Sequence, residues 1–297
     1  MRSLVFLAVL VTTWPAAAAD KLRVVATTAD LGALARAVGG DAADVTTLAR
    51  PTEDPHFVDA KPSYIRTLNQ ADALVEGGAA LEAGWLPPLL EGARNARLAA
   101  GALGRIVASD GITLREVPSQ LDRSMGDVHP FGNPHYLLDP LNAKTVATAI
   151  ATHLCGVDHA HCDDYRARAT RFGETIDRKL PEWQAALAPV RGAKLVTYHK
   201  SFDYLAARFG FDIIDTLEPK PGIPPSPTHL AELVPHMQAA KVRLILVEAY
   251  RERQTPALVA AKTNARVVVL PIMPAGNDDY VKLIDDDVRE IAKAWAS

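Results

Sequence analysis

Cysteine is nearly absent: the 297 residues contain two, Cys155 and Cys162, both within "LCGVDHAHC". Two thiols cannot build a disulfide-dense framework or a four-cysteine zinc ribbon, and no C-x2-C pair occurs. Excess positive charge is missing too. A formal net charge of -3 argues against general affinity for nucleic acid or anionic lipid. After the N-terminal leader no segment approaches the roughly 18 apolar residues of a membrane-spanning helix. No Gly/Ser-rich tether separates domains, so large hinge motion is not expected. The H-E-x-x-H signature of many zinc hydrolases is absent as well.

The chain opens on "MRSLVFLAVLVTTWPAAAAD". Basic Arg2, an apolar run from Leu4 to about Val11 and the small residues Ala17-Ala18-Ala19 read as a signal peptide, residues 1–19, cleaved before Asp20. The mature protein is expected to be exported, soluble and periplasmic, because no cysteine near the cleavage point could accept a lipid. In an oxidising compartment Cys155 and Cys162 read as a local disulfide. A Cys/His metal site using His159 and His161 is the weaker alternative.

From Leu22 onward a short β-branched run, a Thr/Asp cap, an Ala/Leu helix pattern and a Gly-Gly stop succeed one another. Similar strand-then-helix units recur up to the final helix, which predicts an α/β fold with mostly parallel sheets. Near Asp158 the alternation stops. Tyr165, Ala169, Phe172, Ile176, Leu180, Trp183 and Leu187 recur every three or four residues, the pattern of one long amphipathic helix that Pro181 could bend. At about 30 residues it would span roughly 45 Å. The expected organisation is therefore two lobes, each a mostly parallel sheet flanked by helices: an N-terminal lobe over 20–157, a long linking helix over 158–189, and a C-terminal lobe over 190–297.

Nine histidines occur, and their settings differ. His56 lies in "RPTEDPHFVDAKPS", pinned by Pro51, Pro55 and Pro62. His135 lies in "FGNPHYLLDP", where two prolines restrict the backbone. His199 ends the strand-like "KLVTYH". Strand carboxyl ends form the ligand crevice of open α/β sheets, so the three could converge. His153, His229 and His236 fall on helices and read as structural. His129, six residues before His135, reads as a solvated loop histidine or a secondary metal ligand.

At this point a resemblance enters. "EDPHFVDAKPS", "NPHYLLDPLNA", "YHKSFDYLAARFGF" and "GNDDYVKLIDDDVREIA", in that order, resemble the substrate-binding proteins of zinc and manganese ABC transporters, the cluster A-I type. The likeness covers nearly the whole mature chain, "ADALVEGGAALEAGWLPPLL" included. It implies metal ligands at His56, His135 and His199, with an acidic fourth ligand before the last helix. Counting back from "DVREIA" gives Asp278, with the adjacent Asp279 as the alternative. It further implies a transported Zn2+, with Mn2+ as the alternative. Manganese-selecting members tend to carry a carboxylate at the third histidine, consistent with the harder ion's taste for oxygen. The chain has His199 there. A monomeric carrier is implied, with an inner-membrane permease as partner and no enzymatic activity; a secreted zinc hydrolase is the rival from another class. Many zinc members carry a long His- and acid-rich loop, and this chain has only "REVPSQLDRSMGDVHPFG". A periplasmic metallochaperone or a companion protein could load it instead. Tyr198 and Glu53 are candidate groups for orienting the ligands, and affinity is expected to fall steeply as pH drops through the histidine range.

Overall fold

Apolar β-branched runs such as Leu22–Ala26 and Leu244–Glu248 can be buried on both faces only inside a parallel sheet covered by helices, and two such sheets are present. The structure is a computed structural model describing residues 21–120, 126, 129–276 and 279–297. The leader and Asp278 lie outside the described residues. Strands β1 (Leu22–Ala26), β2 (Ala43–Thr47), β3 (Ala73–Glu76) and β4 (Arg105–Val107) form one sheet, ordered β2-β1-β3-β4. Strands β5 (Lys194–Thr197), β6 (Asp212–Thr216), β7 (Leu244–Glu248) and β8 (Arg266–Leu270) form the second, ordered β6-β5-β7-β8. All neighbours pair in parallel, so the second sheet repeats the topology of the first.

Helices α1 (Ala29–Gly39), α2 (Pro62–Gln70), α3 (Leu86–Ala93) and α4 (Pro140–Val157) accompany the first sheet. Helices α6 (Asp203–Phe209), α7 (Pro227–Ala240) and α8 (Gln254–Thr263) accompany the second, and α9 (Tyr280–Ala296) ends the chain. Between the halves runs α5, Cys162–Ala186, a helix of 25 residues that continues through Pro181. It is shorter at both ends than the helical pattern suggests. The Asp158 side chain caps a separate 3-10 turn, His159–His161, and Pro189 lies in another, Ala188–Val190. Cys155 and Cys162 are disulfide-bonded across the corner from α4 to α5. Neither sulfur is then a free thiolate for a metal. Among the described residues no helix is long and apolar enough to cross a membrane.

The inner stripe of α5 carries Tyr165, Ala169, Gly173, Ile176 and Trp183, all buried, as a period of 3.6 demands. This stripe belongs to a core that runs without interruption from β1 and α1 through α4 and α5 to β5, β7 and α9. Helix α9 follows the second sheet yet packs on α1 and α5. Its Tyr280 stands 5.9 Å from Phe172 of α5, ring centroid to ring centroid, and donates its hydroxyl proton to the Leu137 carbonyl. The two sheets are thus fastened by shared apolar packing as well as by one connecting helix.

Candidate metal centre

Three histidines from distant parts of the chain meet between the sheets. Ring nitrogens of His56, His135 and His199 all lie within 4.8 Å of one another. Their ring centroids form a nearly equilateral triangle: 5.1 Å for His56–His135, 5.3 Å for His56–His199 and 5.4 Å for His135–His199.

Each is held by local chemistry that its sequence context supplies. His56 follows β2 in a tight turn where its backbone N–H donates to Asp54 Oδ1 at 3.0 Å, and the Trp85 indole anchors the preceding Pro55 carbonyl at 3.0 Å. His135 sits in an Asn-Pro-His turn. Asn133 Oδ1 accepts the His135 N–H at 2.9 Å, while Asn133 Nδ2 donates to the Lys200 carbonyl at 2.7 Å. The Tyr204 hydroxyl then donates to the Asn133 carbonyl at 2.8 Å. The stiffness of this turn therefore comes from an asparagine fastened to the opposite half as well as from its prolines. His199 stands two residues beyond β5, its carbonyl receiving the Thr197 hydroxyl at 2.6 Å.

Carboxylates select the tautomers. His56 Nδ1 lies 2.6 Å from Asp54 Oδ1, and His199 Nδ1 lies 2.7 Å from Glu218 Oε2. A carboxylate only accepts, so each Nδ1 carries the proton and each Nε2 offers its lone pair. His135 is 7 % exposed, and its Nε2 has no hydrogen-bond partner. A buried nitrogen without a partner usually costs about 1–3 kcal/mol, so the unpartnered atom fits a ligand position. Arg251 joins the two acids, Nη2 to Asp54 at 3.3 Å and Nη1 to Glu218 at 3.2 Å. Asp54 belongs to the first half, Glu218 and Arg251 to the second.

Tyr198 and Glu53 do not orient the ligands. In extended backbone successive side chains point to opposite faces, and Tyr198 turns away from His199 to reach Glu252 at 3.4 Å. Glu53 pairs with Arg50 at 2.5 Å. Asp54 and Glu218 take that role. Asp54 is one residue from the candidate chosen by proximity. Glu218 could not be found by proximity, because the β5–β6 pairing brings it beside His199, its N–H donating to the Tyr198 carbonyl at 3.1 Å. Asp279 is absent from the cluster: its Oδ1 caps α9, accepting the Lys282 N–H at 2.7 Å. Asp278 lies outside the described residues.

His129 stands at the cluster rather than in solvent, its Nε2 3.1 Å from His56 Nε2. His153, His229 and His236 bond to Leu103, Thr216 and Asp215 respectively, as structural histidines do. A cavity of about 350 Å³ bordered by Glu116, His129, His135 and His199 adjoins the cluster. Burial lowers the proton affinity of the rings. His129 is pushed down to about 4, first by desolvation and then by His56 and His199. Desolvation also lowers His135 well below the ordinary histidine value. His199 is lowered mainly by burial, with Glu218 opposing. These rings stay neutral, the form in which imidazole binds metal.

Paired parallel sheets around an imidazole cluster define the class: a metal-binding substrate-binding protein of the ABC-transporter type. The profile described as "ZnuA: Zinc-uptake complex component A periplasmic" matches residues 24–294, and the chain belongs to this family. A "Putative metal-binding protein" of Treponema pallidum is 25% identical over 289 residues, covering 93% of this chain and 87% of that protein. The "High-affinity zinc uptake system protein ZnuA" of Brucella abortus is 26% identical over 160 residues, 54% of this chain and 48% of that one. "Manganese ABC transporter substrate-binding lipoprotein PsaA" of Streptococcus pneumoniae is 23% identical, with 92% and 89% covered. Among solved structures, one described as "Crystal structure of ZnuA" superposes with a TM-score of 0.78 at 25% identity, over 93% of this chain and all of that one.

Proposed function

We propose that the protein is a periplasmic carrier that captures Zn2+ between its two halves and delivers it to an ABC-type permease of the inner membrane. The observation that carries this reading is the convergence of His56, His135 and His199, with carboxylates on two Nδ1 atoms so that Nε2 nitrogens face inward. Imidazole is a borderline-soft donor that suits zinc, whereas manganese prefers oxygen. His56, His135 and His199 are the proposed ligands, with Asp278 the candidate carboxylate. The protein makes or breaks no bond in this role, and export of the mature chain from residue 20 belongs to the same reading. It acts as a monomer, loaded from the periplasm directly or by a metallochaperone.

Metal-free protein titrated with Zn2+ and Mn2+ in competition with a chromophoric chelator tests the reading. One tight zinc equivalent is expected, with manganese bound far more weakly. His135→Ala should weaken zinc binding by more than about a hundredfold while circular dichroism stays unchanged, because the substitution removes a ligand atom and not merely its support. Unchanged affinity in that variant would remove His135 from the site.

A further inference from the structure

A carboxylate has two oxygens, and at Asp54 and Glu218 the two have different partners. Asp54 Oδ1 holds the His56 ring at 2.6 Å, while Oδ2 receives Arg251 Nη2 at 3.3 Å. Glu218 Oε2 holds the His199 ring at 2.7 Å, while Oε1 receives Arg251 Nη1 at 3.2 Å. One guanidinium therefore stands behind two proposed zinc ligands, one carboxylate and one imidazole away from the ion position on either side. The two rings it backs come from different halves of the molecule, with centroids 5.3 Å apart. Arg251 is built into this place. Its backbone N–H donates to the Glu248 carbonyl at 3.0 Å, which fixes it just beyond β7. Its guanidinium carbon lies 5.3 Å from the ring centroids of both Tyr198 and Tyr250, contacts that suit a delocalised cation.

A carboxylate on Nδ1 raises the basicity of a ligand histidine and so strengthens its bond to the metal. A cation on the other oxygen of that carboxylate works against this in two ways. It draws the acid's charge toward itself, and it repels a divalent ion directly, in a largely buried setting where charges are screened less than in water. In the metal-free protein the same cation compensates two acids that would otherwise be buried unpaired. Zinc and Arg251 thus serve the same pair of carboxylates, and by linkage each weakens the other's hold on them.

We infer that Arg251 sets the zinc affinity, holding it below what the histidines and their carboxylates would reach alone, so that a carrier that captures the ion can also release it. The inference rests on the zinc-carrier reading and adds to it the residue that tunes release. Arg251 is a positioning residue in the sense that it acts on the ion only through Asp54 and Glu218. Its effect is nevertheless opposite to that of a strut. A side chain that merely kept the two acids in place would weaken binding when removed, whereas removing a competing charge tightens it.

Chelator competition measures the zinc affinity, and stopped-flow mixing of the loaded full-length protein with excess chelator measures the dissociation rate. Arg251→Gln, which removes the charge, is expected to bind zinc more than about tenfold tighter and to release it correspondingly more slowly. Arg251→Lys keeps the charge but not the fork, and should lie much closer to the wild type than to Arg251→Gln. Weaker binding in both variants would overturn the inference and make Arg251 a strut; an unchanged affinity in Arg251→Gln would overturn it too. Should Arg251→Gln not fold without metal, Glu218→Gln and the double variant Glu218→Gln/Arg251→Gln repeat the comparison with one buried acid fewer. The double variant is then expected to bind zinc tighter than Glu218→Gln, and equal or weaker binding would overturn the inference. A wild-type protein that binds no zinc would overturn the carrier reading instead.

Discussion

A histidine buried among other histidines resists protonation, and this sets how acid competes with metal. Free imidazole takes up a proton near pH 6.5, so unperturbed histidine ligands would lose affinity steeply below pH 7. Here burial pushes His129 down to about 4 and lowers His135 and His199. A lowered value means that the metal-binding neutral form persists as pH falls. Zinc affinity is therefore expected to fall less steeply as pH drops below 7 than it would with solvent-exposed imidazoles. Chelator competition across that range checks it; a tenfold loss between pH 7 and pH 6 would show that the rings titrate as if exposed. The three prolines around His56 and the Asn-Pro of His135 mark stiff turns in the sequence. Which nitrogen each ring turns inward is decided by Asp54 and Glu218, and Glu218 becomes visible only when β5 and β6 pair.

The strands and helices largely follow the hydrophobic pattern, and the departures have local causes. Helix α5 ends where Asp158 and Pro189 support 3-10 turns, features too short to appear in a periodicity of 3.6. Strand β7 carries an oddity that its pattern hides. The sequence "LILVE" ends in Glu248, which is fully buried with both carboxylate oxygens lacking a hydrogen-bond partner. Desolvation pushes this carboxyl up to about 7. The folded value lies above the unfolded one, so its contribution is present in acid and is lost as pH rises through about 7. Glu248→Gln should match the wild type near pH 4, below the unfolded carboxyl's value, and exceed it by about 3 kcal/mol at pH 8, measured by urea unfolding of the metal-free protein. An equal difference at both pH values would mean that Glu248 does not ionise in this range.

At the scale of the whole molecule the two halves are joined more extensively than two lobes on a connecting helix would be. One apolar core crosses between them through α4, α5 and α9. Polar links add to it: Arg208 to Asp139 at 2.6 Å, Asn133 to the Lys200 carbonyl, and Arg251 to both Asp54 and Glu218. Side-chain exposures of 18 % for Arg251, 15 % for Asp54 and 4 % for Glu218 place this triad largely out of water. Removing the cation leaves two buried acids uncompensated, which typically costs about 3–5 kcal/mol. Arg251→Ala is expected to lower the stability of the metal-free protein by about 3 kcal/mol. Arg251→Lys should recover only part of it, since an ammonium lacks the fork that reaches two carboxylates. Urea denaturation of the three proteins checks the order, and an alanine variant as stable as the wild type would show that the triad contributes nothing.

The sequence by itself determined the α/β class, the alternation of strands and helices, the amphipathic bridge between the halves and three of the four histidines that meet, because hydrophobic period and proline-stiffened turns are local properties. Tertiary structure decided the rest. His129 reads as a loop residue in the chain and stands against His56 in the fold. Asp279 reads as a neighbour of the site and caps a helix instead. Asp54, Glu218 and Arg251 look like ordinary surface charges until two sheets bring them together. Ligand geometry is a relation between residues dozens to more than a hundred positions apart, and no local pattern encodes the distance between them.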